Sequence, residues 1–112
     1  MKTKKNKLTT CPVEDTVNII GNKYTVLIIR DLMTGKKRFS ELERSISGIS
    51  PRTLSARLIQ LEKDKMIKKK IYPVVPPHTE YSLSEHGIGF IKVVDEIIDW
   101  NKKYRKSVPQ GK

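Results

Sequence analysis

Between residues 50 and 60 the chain carries a set of side chains suited to hydrogen bonding with base edges: Arg52, Thr53, Ser55 and Gln60. Arg forms a bidentate pair with guanine, Gln does so with adenine, and Ser, Thr and Ala fit close to phosphates and thymine methyls. No acid interrupts this run before Glu62. A plain solvated helix face is the competing reading. Other chemistry is thin. The two histidines, His78 and His86, stand eight apart and do not match metal-ligand spacing, and one cysteine does not complete a site. No phosphate loop, dinucleotide fingerprint or nucleophile–base–acid pattern is present, so no enzyme, metal or cofactor is expected. Cys11 precedes a helix start and follows a lysine-rich stretch, an electropositive setting of the kind in which cysteines are reactive. With no second cysteine, its oxidation products would be a disulfide to another subunit, a mixed disulfide or a sulfenic acid.

The element that must hold these side chains is a helix. Ser50 is a good N-cap and Pro51 falls at the first helical position, where its missing N–H costs nothing. Leu54, Leu58 and Leu61 recur at the spacing of one buried stripe. Before it, Pro12 opens a first helix with Val13, Val17 and Ile20 on one face, and Gly21-Asn22 ends it with residues that tolerate positive φ. Lys23 to Met33 forms a second helix, apolar on all sides and therefore central. Lys36 to Phe39 is a short extended piece. Ser40 is expected to cap a third helix, with Glu43 as its capping-box partner. The third helix, the Ser47-Gly48 turn and the helix from Pro51 form a helix-turn-helix.

Ile67, Lys69 and Ile71 alternate with Lys68 and Lys70, as in a half-buried strand. The proline-rich 73–78 segment is a loop, and Thr79, Tyr81 and Leu83 face inward on a returning strand. Glu80 is expected to point out and pair with Lys68 or Lys70 across the hairpin. Ser84 then caps one last helix. Its two apolar stripes, one including Val93, Ile97 and Trp100 and the other Ile91, Val94 and Ile98, span about half its circumference, more than a one-sided helix needs. A second copy of the chain is the simplest occupant of the excess.

The fold class is therefore mainly α with a small β-hairpin (α+β), a winged helix-turn-helix dimerising through its N- and C-terminal helices. Residues 1–10 read as a flexible basic tail, 11–104 as the domain and 105–112 as a C-terminal tail. The chain of 112 residues carries a formal charge of +11. Residues 50–72 hold seven basic side chains against Glu62 and Asp64, so the charge is polarised toward the helix and hairpin. Arg38, Ser50, Arg57, Lys68 and Lys70 are placed to meet phosphates. No stretch approaches the roughly 18 apolar residues of a membrane span, so no membrane role is expected and the location is cytoplasmic.

Longer motifs match a known pattern. Cys11-Pro12-Val13, Ile20-Gly21-Asn22-Lys23-Tyr24, Arg38-Phe39-Ser40-Glu41-Leu42, Gly48-Ile49-Ser50-Pro51-Arg52-Thr53-Leu54-Ser55, Leu61-Glu62, Tyr72-Pro73-Val74-Val75-Pro76-Pro77, Glu80-Tyr81-Ser82-Leu83 and Gly87 are distributed along residues 11–104. Spread along that span rather than filling it, together they resemble the HxlR-type winged-helix regulators, relatives of the MarR class in bacteria and archaea. The resemblance implies a homodimer seam formed by the first and last helices (here Val13, Val17, Ile91, Val94 and Ile98), a recognition helix in the major groove and a wing over the backbone. It implies a roughly palindromic double-stranded DNA operator, nucleoid association, often repression, and for Cys11 a role in sensing oxidants, quinones or aldehydes. The sequence departs from the pattern at Asn22 for a common Gly, Tyr24 for a common Trp, and Lys65 for a frequent Gly. The alternatives are a winged-helix protein-interaction module, or a regulator whose inducer is a small ligand rather than a thiol reagent.

Overall fold

A computed structural model of the chain describes residues 11–105. The two proposed tails, 1–10 and most of 105–112, lie outside the described residues. In chain order the elements are α1 (Pro12–Ile20), α2 (Lys23–Leu32), β1 (Lys37–Arg38), α3 (Phe39–Ser45), α4 (Pro51–Lys63), β2 (Ile67–Tyr72), β3 (His78–Leu83), α5 (Glu85–Gly89) and α6 (Ile91–Tyr104). The strands form one antiparallel sheet in the order β1-β3-β2. The architecture is a winged helix-turn-helix.

The core lies where α2, α3, α4 and the base of the hairpin meet. Ile28 and Ile29 of α2, Leu42 of α3, and Leu54, Leu58 and Leu61 of α4 are almost wholly enclosed. Each buried aliphatic side chain contributes about 1.5–3 kcal/mol relative to exposure, which fixes the roll of α4 about its axis. The opposite, polar face must then point to solvent.

Several local expectations change. Neither Gly21 nor Asn22 adopts positive φ; Asn22 instead caps α2, its side chain accepting from Tyr24 N at 2.9 Å. Helix α3 begins at Phe39, and its capping carboxylate is Glu41, which accepts from Arg38 N at 2.7 Å; Ser40 and Glu43 lie within the helix. The extended piece before it pairs with β3 as a third strand, Lys37 opposite Tyr81. The hairpin projects away from the core, so Ile67 is buried while Lys69 and Ile71 are exposed, against the alternation. Glu80 lies between two strands and pairs with Lys36 (3.6 Å) rather than with a wing lysine. The last helix is divided near Phe90, a half-buried residue packed against the core.

The end of α4 explains one departure from the family pattern. Met66 N donates to Leu61 O (2.9 Å) and Lys65 N to Glu62 O (3.0 Å), the paired bonds of a Schellman cap. Lys65 occupies the left-handed position at φ +64°. An L side chain pays about 1–2 kcal/mol there, partly offset by the extra freedom glycine loses on folding. Lys65→Gly is expected to stabilise the fold by about 0.5–1 kcal/mol and raise Tm by roughly 2–8 °C. A lower Tm in thermal denaturation would contradict the positive φ.

Candidate nucleic-acid interface

The turn between α3 and α4 sets the angle of the exposed helix. Gly48 takes φ +82°, a conformation that suits glycine, and Tyr24 Oη donates to its carbonyl at 3.4 Å. Ile46 and Ile49 are buried on either side. At the start of α4, Ser50 Oγ accepts from Thr53 N (3.0 Å) and donates to Thr53 Oγ1 (3.0 Å). The two hydroxyls thus serve the cap first.

The expected base-reading residues fall on one side of α4 but are not equivalent. Arg52 and Ser55 are exposed in its N-terminal half, the part of a recognition helix that meets base edges. Thr53 and Arg57 are half-buried at the flank. Gln60 is exposed, and its amide nitrogen lies 3.3 Å from Asp64 Oδ2. Ile59, to which the residue types assigned no role, is also exposed here. Its position opposite the leucine stripe was the available signal.

The wing supplies cations beside this helix. Lys68, Lys69 and Lys70 are exposed along β2. Lys69 is drawn back toward Glu62 of α4 (3.8 Å), a pair that ties wing to helix. Lys70 Nζ lies 5.0 Å above the Tyr72 ring, which stacks on His78 with centroids 4.7 Å apart. Glu80 Oε2 lies 3.6 Å from His78 Nε2. Burial opposes ionisation of Glu80, but the hydrogen bond from Tyr72 and the charges of Lys36 and His78 outweigh it and hold the carboxyl below its ordinary value. The stem of the wing is thereby cross-braced. Arg38 is exposed where β1 meets α3.

At the head of the first helix, Cys11 is exposed at the N-cap of α1, with Pro12 at the first helical position. Val13 and Val17 are 71% and 52% exposed, and α1 contributes no fully buried residue. Ile98 is exposed on α6 beside Val93, Ile97 and Trp100. Val94 corrects the expected seam: it is 4% exposed and belongs to the domain core, and Ile91 is half-buried against it. The division of the last helix at Phe90 allows that first turn to dip into the core. Among the described residues no cluster of ligating side chains could hold a metal, and no helix is long and apolar enough to cross a membrane.

A helix-turn-helix with an acid-poor exposed helix and a lysine-bearing wing defines a DNA-binding transcription regulator. Comparison with known proteins narrows the class: the HxlR-like helix-turn-helix family model matches residues 19–109, and the chain belongs to that family. It is 40% identical over 98 residues to the uncharacterized HTH-type transcriptional regulator YdeP of Bacillus subtilis, covering 88% of this chain and 77% of that one. A MarR-family transcriptional regulator structure from Porphyromonas gingivalis W83 superposes with a TM-score of 0.81 at 38% identity, covering 90% of this chain and 99% of that one. The redox regulator HypR in its oxidized form superposes with a TM-score of 0.78 at 36% identity, covering 83% and 96%.

Proposed function

We propose that this transcription regulator is a sequence-specific homodimeric repressor whose grip on a roughly palindromic duplex is altered by modification of Cys11. The observation that carries the DNA-reading part is the outward face of α4, where exposed Arg52, Ser55 and Gln60 stand opposite a fully buried leucine stripe. Arg52, Thr53, Ser55 and Gln60 read base edges. Arg38, Ser50, Arg57, Lys68 and Lys70 hold phosphates. Two copies would place two recognition helices on half-sites separated by whole helical turns, about 34 Å each.

The dimer reading rests on the exposed apolar side chains of α1 and α6, Val13, Val17, Ile97, Ile98 and Trp100 among them. An uncovered face of that kind marks an interaction surface. The thiol reading rests on the exposed position of Cys11 at the head of α1 and on the similarity to HypR, a redox regulator. Modification there reorients α1 at the seam and changes the distance between the two recognition helices.

The test is binding to duplex DNA from upstream of the protein's own gene and its neighbour, against random duplex, before and after mild thiol oxidation. The expected preference is about 10³-fold or more. Oxidation is expected to abolish it in the wild type and leave it intact in Cys11→Ser. An equal response to oxidants in Cys11→Ser would remove Cys11 from the mechanism.

One observation favours a second reading, control by a small apolar ligand. An open groove of about 270 Å³ runs between α1, the turn after α4 and the α5–α6 junction, lined by Ile19, Ile20, Met66, Phe90 and Val93 with Thr16 and His86. Specific DNA binding that survives oxidation would favour it.

A further inference from the structure

Helical periodicity places Arg52, Ala56, Ile59 and Lys63 within about 60° of one another around α4. That ridge lies diametrically opposite Leu54, Leu58 and Leu61, which are buried. Ile59 is 53% exposed at its centre, with Arg52 two turns before it and Lys63 one turn after. Ala56, one turn earlier, has no side chain long enough to shield it. A β-branched residue has no conformational reason to stand on an exposed helix face, where lysine or glutamine would form helix better. Its cationic neighbours on the ridge match a polyanion, and a branched alkyl group between them matches the one apolar feature of the major groove, the thymine C5-methyl.

We propose that Ile59 is a specificity-determining residue that packs on a thymine methyl in each half-site. The inference rests on α4 being the DNA-reading helix and adds to its hydrogen-bonding residues an apolar one. The contact needs no hydrogen bond, so it would select thymine by shape and by exclusion of water.

The test uses a duplex selected from a random pool by the full-length protein, and copies in which each thymine in turn is replaced by deoxyuridine, which lacks only the methyl. With wild-type protein, replacement at one thymine per half-site is expected to weaken binding about fourfold, the value of one buried methyl group. With Ile59→Ala, the same replacement is expected to change binding less than twofold, while other thymines behave alike in both proteins. Circular dichroism of Ile59→Ala, an exposed helix-compatible change, confirms the fold. If every thymine responds identically in wild type and variant, Ile59 reads none of them and the proposal is overturned, although α4 remains the reading helix. If selection yields no duplex preferred over random DNA, the reading of α4 fails and the proposal falls with it.

Discussion

Gly87→Ala is expected to lower Tm by about 10–20 °C or prevent folding, while Gly89→Ala, two residues on, leaves it unchanged or slightly higher. A Cβ at Gly87 would stand 2.2 Å from Met66 O and 3.0 Å from Leu83 Cδ2, and a backbone oxygen cannot swing aside as a side-chain end can. At Gly89 a Cβ meets nothing within 4 Å. The close approach at Gly87 belongs to a junction. Ser84 N donates to Met66 O at 3.0 Å, Ser84 Oγ donates to Lys65 O, and Gly87 N donates to Ser84 Oγ at 3.1 Å. These bonds fasten the start of α5 onto the turn that ends α4. Overpacking costs about 1–3 kcal/mol, and each hydrogen bond lost as α5 is pushed away adds about 1. The sum is a large share of the roughly 5–15 kcal/mol by which a domain is stable. Thermal denaturation of both variants at one fixed concentration checks this, since self-association would make Tm concentration-dependent. Equal Tm values for the two would mean that α5 does not sit on the turn as described.

Arg52→Ala is expected to reduce affinity for the preferred duplex about 5- to 150-fold and to relax the sequence at one position per half-site. This corresponds to the roughly 1–3 kcal/mol of a bidentate arginine–guanine pair. Arg52 is exposed in the first turn of α4 and points away from the leucine stripe, so its loss leaves the core intact. Lys68→Ala provides the contrast. Lys68 is exposed on the wing, and its loss should weaken all duplexes alike and reduce the slope of log affinity against log salt by about 1. Competition binding of selected and random duplex across a salt series separates the two effects. If Arg52→Ala weakened selected and random DNA equally, Arg52 would be a phosphate contact instead.

Much of this organisation was legible in the sequence because it is local. The Ser50 cap, Pro51 at the first helical position and the 54–58–61 leucine stripe all act within a few residues, and α4 follows them from Pro51 onward. The charge polarity was equally plain, since it is a property of which residues are present. The glycine of the turn at Gly48 and the non-glycine strain at Lys65 were both marked by motif positions. The misreadings arose where a residue's environment comes from distant chain. Lys69 and Ile71 alternate as a buried strand would, but the hairpin extends past the helices that would cover them. Glu80 pairs with Lys36, more than 40 positions away, because β1 inserts beside β3. Val94 shares a helical face with seam candidates, yet the change of direction near Phe90 turns it into the core.

The sequence by itself determined the order of the main helices, the caps at Ser50 and Ser84, the buried stripe of α4 and the excess of positive charge on helix and wing. Each depends on spacing and residue type along a few turns of chain. Only the tertiary structure decided which apolar side chains of α1 and α6 stay exposed, Val13, Val17 and Trp100 among them, that Val94 does not, and how closely Gly87 sits on Met66. Exposure and close backbone approach are set by what packs from elsewhere, and no local pattern carries that information.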